Sequence, residues 1–371
     1  MNRILQMMSL NGLGLGLVSV FIPIYLLELG YPFYMVMLWL IIHHGTLLIG
    51  SFATVYISNR IGLIYCLYIR FVLLITSLLL LFILPTYPLL FYIIPIISGF
   101  ESALYWIPLN ILFVRKTETK TMGSSMSKFF NYPKIIGLFA PLIGALIITK
   151  FSYPILFFAA MCLVFLSMIP LLPLRSEKTH FRFTLEAVKE IWQKNKVYFI
   201  PEIVDNFAED AGVILTLFIY LNLLNVLDIG WIGTVTSLVV VLFTYFMGDM
   251  TDTKDKHKLI RVGAILLSLS WGINFMIGEY IPNIWLFYIA TIITTLSLKT
   301  FLIPYQSLMF NSARASHDAQ FLVLREVPTI IGRFIVYGLA LVLHNHLPVV
   351  FLIIALVFAY FWFFDSRKLA Q

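Results

Sequence analysis

Charge is what this sequence has least of. Of 371 residues only 12% are Asp, Glu, Lys or Arg, while 61% are hydrophobic. No soluble domain hides that much apolar surface from water, so the composition implies an all-α integral membrane protein. Strand-like alternation of polar and apolar residues is missing too, and the unbroken apolar runs exclude a transmembrane β-barrel. Cysteine is nearly absent. Cys66 and Cys162 both fall inside apolar runs, where they read as small buried hydrophobes without disulfide or compartment information. The N-terminal run is long enough to span and lacks a small-residue cleavage site, so no cleavable signal peptide is expected.

Enzyme signatures are lacking as well. There is no His-Glu-x-x-His, and the expected outer loops are too short to hold a catalytic Asp with a second substrate. Gly12, Gly14 and Gly16 alternate within an apolar run. They signal close helix contact rather than a nucleotide loop. No metal and no cofactor is therefore expected. The net charge of +7 does not imply nucleic-acid binding, which needs a basic soluble face.

What is present is a series of long apolar runs, about twenty residues each being enough to cross the hydrocarbon core. Twelve are expected, at 4–29, 33–57, 62–84, 88–114, 128–150, 154–174, 198–224, 228–250, 259–278, 282–309, 320–343 and 348–365. The odd-to-even connections are tight turns marked by Gly or Pro, as in Gly30-Tyr31-Pro32 and Tyr280-Ile281-Pro282. The other connections carry the charge. With the N-terminus cytoplasmic, nineteen of the 25 Lys and Arg fall in inner loops, span ends or tails, among them Arg3, Arg60, Arg115, Lys116, Lys254 and Lys256. Only Lys150 falls outside. This asymmetry places both termini in the cytoplasm and the chain in the cytoplasmic (inner) membrane as a multi-pass protein.

The longest polar segment, residues 175–197, links residues 1–174 to residues 198–371. Phe183, Ala187 and Ile191 recur at helical spacing within it, which predicts an amphipathic helix along the inner membrane surface. The two parts are repeats. At a shift of 195, Asn11 meets Asn206, Ile24-Tyr25-Leu26 meets Ile219-Tyr220-Leu221, and Pro133 through Gly137 meets Pro328 through Gly332. Ile107-Pro108-Leu109-Asn110 recurs at 196 as Ile303-Pro304-Tyr305-Gln306. Two parallel six-helix halves are a transporter architecture, with the binding site at the midplane between them.

Two motifs sharpen this. Val55 through Gly62 contains Asn59-Arg60-Ile61-Gly62, and its second-half counterpart runs Gly248-Asp249-Met250-Thr251-Asp252. Span five carries Gly137-Leu-Phe-Ala140-Pro141-Leu-Ile-Gly144-Ala145. Over its whole length the chain resembles the major facilitator superfamily: twelve spans, six plus six, cytoplasmic ends and a central inner loop. The first motif is similar to the family's inner-loop gating sequence, with Val55 and Asn59 replacing its Gly and Asp. The resemblance thus implies gating roles for Asn59, Arg60, Gly62, Gly248 and Asp252, with the carboxylate role resting mainly on Asp252. The span-five sequence is similar to the family's antiporter motif and leans towards export, although small-residue packing alone would also explain it. No partner beyond a small-molecule substrate, protons and the bilayer is implied, and the expected state is a monomer.

The resemblance also implies that spans one, four, seven and ten line the central cavity, and most of the buried polar residues lie on them. Glu101 stands in the middle of the apolar run of span four. An ionisable group at that depth costs several kcal/mol and is a functional-site hypothesis by default. Its nearest cations by depth, Arg70 and Lys134, lie several residues nearer the cytoplasm, so Glu101 is expected to lack a close cation and to suit a proton carrier. On span seven Glu202, Asp205, Asn206, Glu209 and Asp210 fall within an arc of about 140°. Lys299 on span ten shares the depth of Glu209 and Asp210, one of which is its expected partner; Arg333 on span eleven competes for the other. The expectations are Glu101, Glu209 and Asp210 for proton coupling, Asp205, Lys299 and Arg333 for a buried charge network, and Asn11, Tyr25, Tyr105, Asn206, Lys299 and Gln306 for the substrate cavity. Trp106 and Tyr305 are further cavity aromatics. His43 and His44 in span two point 100° apart, and a packing histidine bonded across to span eleven is favoured over a proton relay. The function expected is secondary active transport of a small solute by alternating access, proton-coupled, with export by antiport ahead of uptake by symport. Basic residues permit an organic anion and acidic ones a cation.

Overall fold

The computed structural model of the protein describes residues 2–179, 184–223, 225–315 and 318–363. Phe183 and the last two residues of the twelfth expected span lie outside them. All regular structure described is helical. In the first half α1 (Asn2–Val18) and α2 (Phe21–Glu28) form one rod, followed by α3 (Phe33–Ile61), α4 (Leu63–Ile83) and α5 (Leu90–Lys116). Then α6 (Met122–Ile136) and α7 (Ala140–Lys150) form the fifth rod, and α8 (Tyr153–Leu166) the sixth. The second half consists of α9 (Leu185–Leu223), α10 (Val226–Thr253), α11 (Lys256–Tyr280), α12 (Ile284–Ala315), α13 (Asp318–Val342) and α14 (Leu347–Tyr360). Twelve rods thus stand where twelve spans were expected.

Two rods are broken where continuous helices were expected. Proline has no N–H and removes the bond to the carbonyl four residues back. Pro23 and Pro141 cannot bond the carbonyls four residues back, those of Ser19 and Gly137, and the breaks fall at those residues; the Gly137 carbonyl accepts from Ala140 N–H at 3.0 Å instead. Residues 185–197 of the linker form the first part of α9, which runs unbroken for 39 residues. At 1.5 Å per residue it is about 58 Å long, so it projects well beyond the roughly 30 Å hydrocarbon core. No glycine interrupts the helix before Gly212, and Pro201 is absorbed within it.

Among the described residues, nine rods are long and apolar enough to cross a membrane on length and composition alone. The other three are informative. Helices α9 and α13 carry buried charge, and α14 has only 14 residues. Gly62, with φ 94°, makes the turn between α3 and α4, where a Cβ would also run into Ser176. Cys66 is packed inside, but Cys162, also expected to be buried, lies on the exposed face of α8.

The halves pack alike. α1 lies on α6, α7 and α8, and α9 lies on α13. Gly137 sits against the Gly12 carbonyl and Gly332 against the Ile203 carbonyl, so two glycines 195 residues apart make equivalent close approaches. Between the halves, α3 packs on α13 and α10 on α6 and α7. Gly230 meets Ala145 and Pro141 there, and Gly233 meets Pro141. The small residues of the span-five motif therefore serve helix contact.

Candidate functional site

Among the described residues four polar clusters stand out in this apolar bundle, three of them buried and one open. In the first half, Arg70 of α4 is 0% exposed. Its Nε donates to Glu101 of α5, and its Nη1 donates to Asn11 Oδ1 of α1 at 2.6 Å. The guanidinium lies over the Tyr105 ring, 4.4 Å from its centroid. Glu101 therefore has a close cation, contrary to the sequence expectation. Depth along a helix does not count the reach of an arginine side chain, which spans a full helical turn. Asn11, Glu101 and Tyr105 are assembled around Arg70 inside the half. Tyr25 is likewise internal, packed on Tyr153 and Phe157 with its hydroxyl donating to the Leu81 carbonyl at 3.2 Å. Trp106 is exposed.

The second cluster joins α9 to α12 and α13. Glu202 accepts from Tyr305 Oη at 2.8 Å and Thr329 Oγ1 at 2.9 Å, and lies 3.5 Å from Arg325 Nε. Asn206 donates to the Glu202 carbonyl at 2.9 Å. Asn206 and Tyr305 are thus committed to packing. Arg325, which also donates to Glu326 at 3.1 Å, was missed by the sequence reading; its place two turns before Arg333 on one helix face was the available signal.

The third cluster crosses between the halves. Arg333 Nε lies 2.8 Å from Asp210 Oδ2, an ion pair whose N–H is not aligned for a hydrogen bond. Tyr337 donates to Asp210 Oδ1 at 2.6 Å. His44 of the first half joins them, with Nε2 3.6 Å from Asp210 and Nδ1 3.2 Å from Arg333. His43 turns away and bonds Ser98 at 2.8 Å. Arg333, not Lys299, is therefore the partner of Asp210. Lys299, expected to pair with Glu209 or Asp210, meets neither within 4 Å, because equal depth on α9 and α12 does not make two side chains face each other. Arg333, expected to compete for one of the two, holds Asp210 because α13 packs along α9.

The fourth cluster is the open one. Glu209 is exposed and lines a cavity of about 250 Å³ between α9, α10, α11 and α12, closed on one side by Val20 at the break in the first rod. Thr216, Thr236, Thr291, Thr294 and Thr295 add hydroxyls, and Trp271 forms part of the wall. Trp271 Nε1, Thr236 Oγ1 and Thr291 Oγ1 have no hydrogen-bond partner. A second opening on the same carboxylate is lined by Ser19, Pro23 and Thr216. Lys134 of α6 and Lys299 of α12 lie within electrostatic reach of each other, and Lys134 of Glu209. Lys299 Nζ stands 5.9 Å above the Phe130 ring of α6. Asp205, 1% exposed with Oδ1 unpartnered, lies near Lys299 and Glu209. Among the described residues Glu209, Asp205, Lys134 and Lys299 enter no ion pair within 4 Å. Gln306 is half-buried with Oε1 unpartnered. Trp271 and the threonines were not singled out in the sequence, since such residues are common in any apolar helix.

The loop motifs part company. Asn59 accepts from Thr179 at 2.8 Å, Arg60 lies on the ring of Tyr56, and Gly62 abuts Ser176, all within the first half. Asp252 of α10 instead crosses to the other half. Its two carboxylate oxygens accept from the backbone N–H groups of Gly123 and Ser124, each at 2.8 Å, at the start of α6. Gly248 packs beside it on Ser127 and the Gly123 carbonyl. At the opposite end of the bundle Tyr220 of α9 donates to Glu28 of α2 at 2.9 Å. Among the described residues no group of three or more His, Cys, Asp or Glu is placed to hold a metal ion.

No protein-family model matches this chain. It is 24% identical over 262 residues to the uncharacterized protein YqgE of Bacillus subtilis (strain 168), over 64% of this chain and 58% of that protein. The chain thus spans less than two thirds of the length of that relative. Three solved structures match over 100% of this chain and 98% of their own. They are the E. coli fucose:proton symporter FucP (TM-score 0.74, 13% identity), the human organic anion transporter MFSD10 (0.68, 10%) and a bacterial homologue of the iron transporter ferroportin in its outward-facing state (0.72, 13%). The fold of this multi-pass membrane protein is that of the major facilitator superfamily.

Proposed function

We propose that the protein is a secondary active transporter that moves a small solute through the space between its halves by alternating access. The observation that carries this reading is the unpaired Glu209, which lines a cavity within the second half and a second opening shared with Ser19 and Pro23 of the first half, with Asp252 bridging the halves at one end and Glu28 at the other. Such polar bridges exchange for water at modest cost, about 0.5–3 kcal/mol each, so both ends can open in turn. The end bearing Asp252 and the termini is assigned to the cytoplasm from the basic residues near it.

Protons are the proposed coupling ion, and Glu209 is the proposed site. Glu101 and Asp210 are held by Arg70 and Arg333, whereas Glu209 faces open space. Protonation removes the charge that makes enclosing a carboxylate costly, and so favours the occluded state. Export in exchange for protons is the proposed direction, resting on the span-five sequence alone.

The test needs no substrate. In a Cys66→Ser, Cys162→Ser background, spin labels at Ser125 and Thr253 report one end, and labels at Leu29 and Asn222 the other. Alternating access gives two distance populations at each end that change in opposite senses between acidic and neutral pH. One fixed distance at both ends under all conditions overturns the reading.

A further inference from the structure

Packing does not explain Gly212. It stands one turn after Glu209 on α9, and a Cβ added there would meet no atom within 4 Å. Glycine costs a helix interior about 1 kcal/mol against alanine. At Gly230 and Gly332 that cost is offset by the close approach of another helix, whereas at Gly212 nothing approaches. What the missing side chain leaves is room. Gly212 lines both the cavity of about 250 Å³ and the second opening, each beside Glu209.

The charge of that room is of one sign. Among the described residues Glu209 is the only charged side chain lining either space. Lys134 of α6 lies within electrostatic reach of Glu209 but outside ion-pair distance, and it lines neither space. Asp205 and Asp210 on the same helix add negative charge nearby, the latter held by Arg333. The hydroxyls agree with the carboxylate. Thr216 donates its hydrogen to the Gly212 carbonyl at 2.9 Å and Thr295 to the Thr291 carbonyl at 2.7 Å, so towards a ligand their oxygens can only accept. Leu215, Ile219, Ile232, Leu267 and Trp271 make the rest of the wall mainly apolar. The cavity is smaller than the usual 300–1,000 Å³ of drug-sized sites.

We propose that the solute is a small monocationic amine, its ammonium beside Glu209 and the threonine oxygens, and its compact apolar body in the space that Gly212 leaves open. This names the substrate class for the transport reading above and rests on it. Enclosing a lone carboxylate costs several kcal/mol, and an ammonium neutralises it as a proton does, so the two ions exclude each other at Glu209. A monoanion meets only repulsion there, and a zwitterion brings a carboxylate that no cation in the wall answers.

The experiment uses the full-length purified protein and two matched sets of probes: 2-phenylethylamine with 2-phenylethanol and 3-phenylpropanoate, and 3-methylbutylamine with 3-methylbutan-1-ol and 4-methylpentanoate. Thermal stabilisation is measured at neutral pH against probe concentration up to the millimolar range. At least one amine is expected to raise the melting temperature at concentrations at least about tenfold below those its alcohol and its acid need, a difference of about 1.4 kcal/mol. Glu209→Gln should abolish that preference. Gly212→Leu keeps the carboxylate and fills the space. It should melt no lower than the wild type, because a better helix former enters where nothing is displaced, and it should lose the amine response. Leu242→Ala, at an exposed position of α10, should keep it. Equal stabilisation by the alcohol, or stabilisation by the acid in place of the amine, overturns the proposal. So does an absence of stabilisation by both amines, or an amine response that survives Gly212→Leu. The spin-label distances are read without ligand, so failure of alternating access and failure of amine binding are separately visible.

Discussion

The Asp252 carboxylate accepts hydrogen bonds from the backbone N–H groups of both Gly123 and Ser124, at 2.8 Å each. One oxygen per donor makes a two-point clamp between α10 of the second half and the first turn of α6 in the first. The free N–H groups and positive dipole end of a helix favour an anion there. Gly248 lets the backbones close, since a Cβ at that position would meet Ser127 and the Gly123 carbonyl. The corresponding loop of the first half has Asn59 in place of a carboxylate and is turned towards Thr179. The clamp is therefore one-sided.

Asp252→Asn retains one acceptor oxygen and loses the charge. Hydrogen bonds to charged groups contribute about 1.5–3 kcal/mol, so a loss of about 1–2 kcal/mol from the closed end is expected. In spin-label measurements between Ser125 and Thr253 this appears as a several-fold rise in the long-distance population. An unchanged distribution would show that the clamp does not hold that end shut.

Arg70 is surrounded by Glu101, Asn11 and Tyr105 in the interior of one half. Arg70→Ala strands a buried carboxylate and should lower stability by about 3–5 kcal/mol. Arg70→Met combined with Glu101→Leu removes both charges and should recover most of it. Thermal unfolding of the purified variants decides; a double variant no better than Arg70→Ala shows the network to be more than a charge pair.

Lys299 and Arg333 are expected to behave oppositely. Arg333→Ala leaves Asp210 unbalanced and should cost about 3–5 kcal/mol, with Asp210→Asn in the same chain restoring much of it. Lys299→Ala removes a charge that no carboxylate holds and should leave the melting temperature within a few degrees. A large loss from Lys299→Ala would revive the pairing that depth alone suggested.

Glu209→Gln mimics the protonated carboxyl. If Glu209 is the proton site, the distance populations at the two ends of the wild-type bundle shift with pH. Those of Glu209→Gln should stay at the wild-type acidic values throughout, because no proton remains to be lost there. A variant whose populations still follow pH moves the coupling to another group.

Several features are legible in the order of the residues alone. The twelve rods follow from apolar runs that water cannot solvate. The equivalence of the halves follows from Pro133 and Gly137 recurring as Pro328 and Gly332, because a close helix approach demands the same small residue wherever it is repeated. The importance of Asp252 is legible as the one motif carboxylate retained.

Pairing is not legible in that way. Sequence gives depth along each helix and the face a residue occupies; it does not give the rotation of one helix against the next or the reach of a side chain. That is why Glu101 was expected alone and is held by Arg70, and why Lys299 was expected to pair with Glu209 or Asp210 and pairs with neither, while Arg333 holds Asp210. The cavity beside Glu209 is likewise a property of four helices together, and its threonines and Trp271 become significant only when they are seen to line one space. Sequence alone determined that the chain lies in the membrane as two repeated six-rod halves, because hydrophobic length and small-residue spacing are local properties. Tertiary packing alone decided which buried charges are neutralised and which stand open at the junction, because that depends on contacts between residues as much as 289 positions apart.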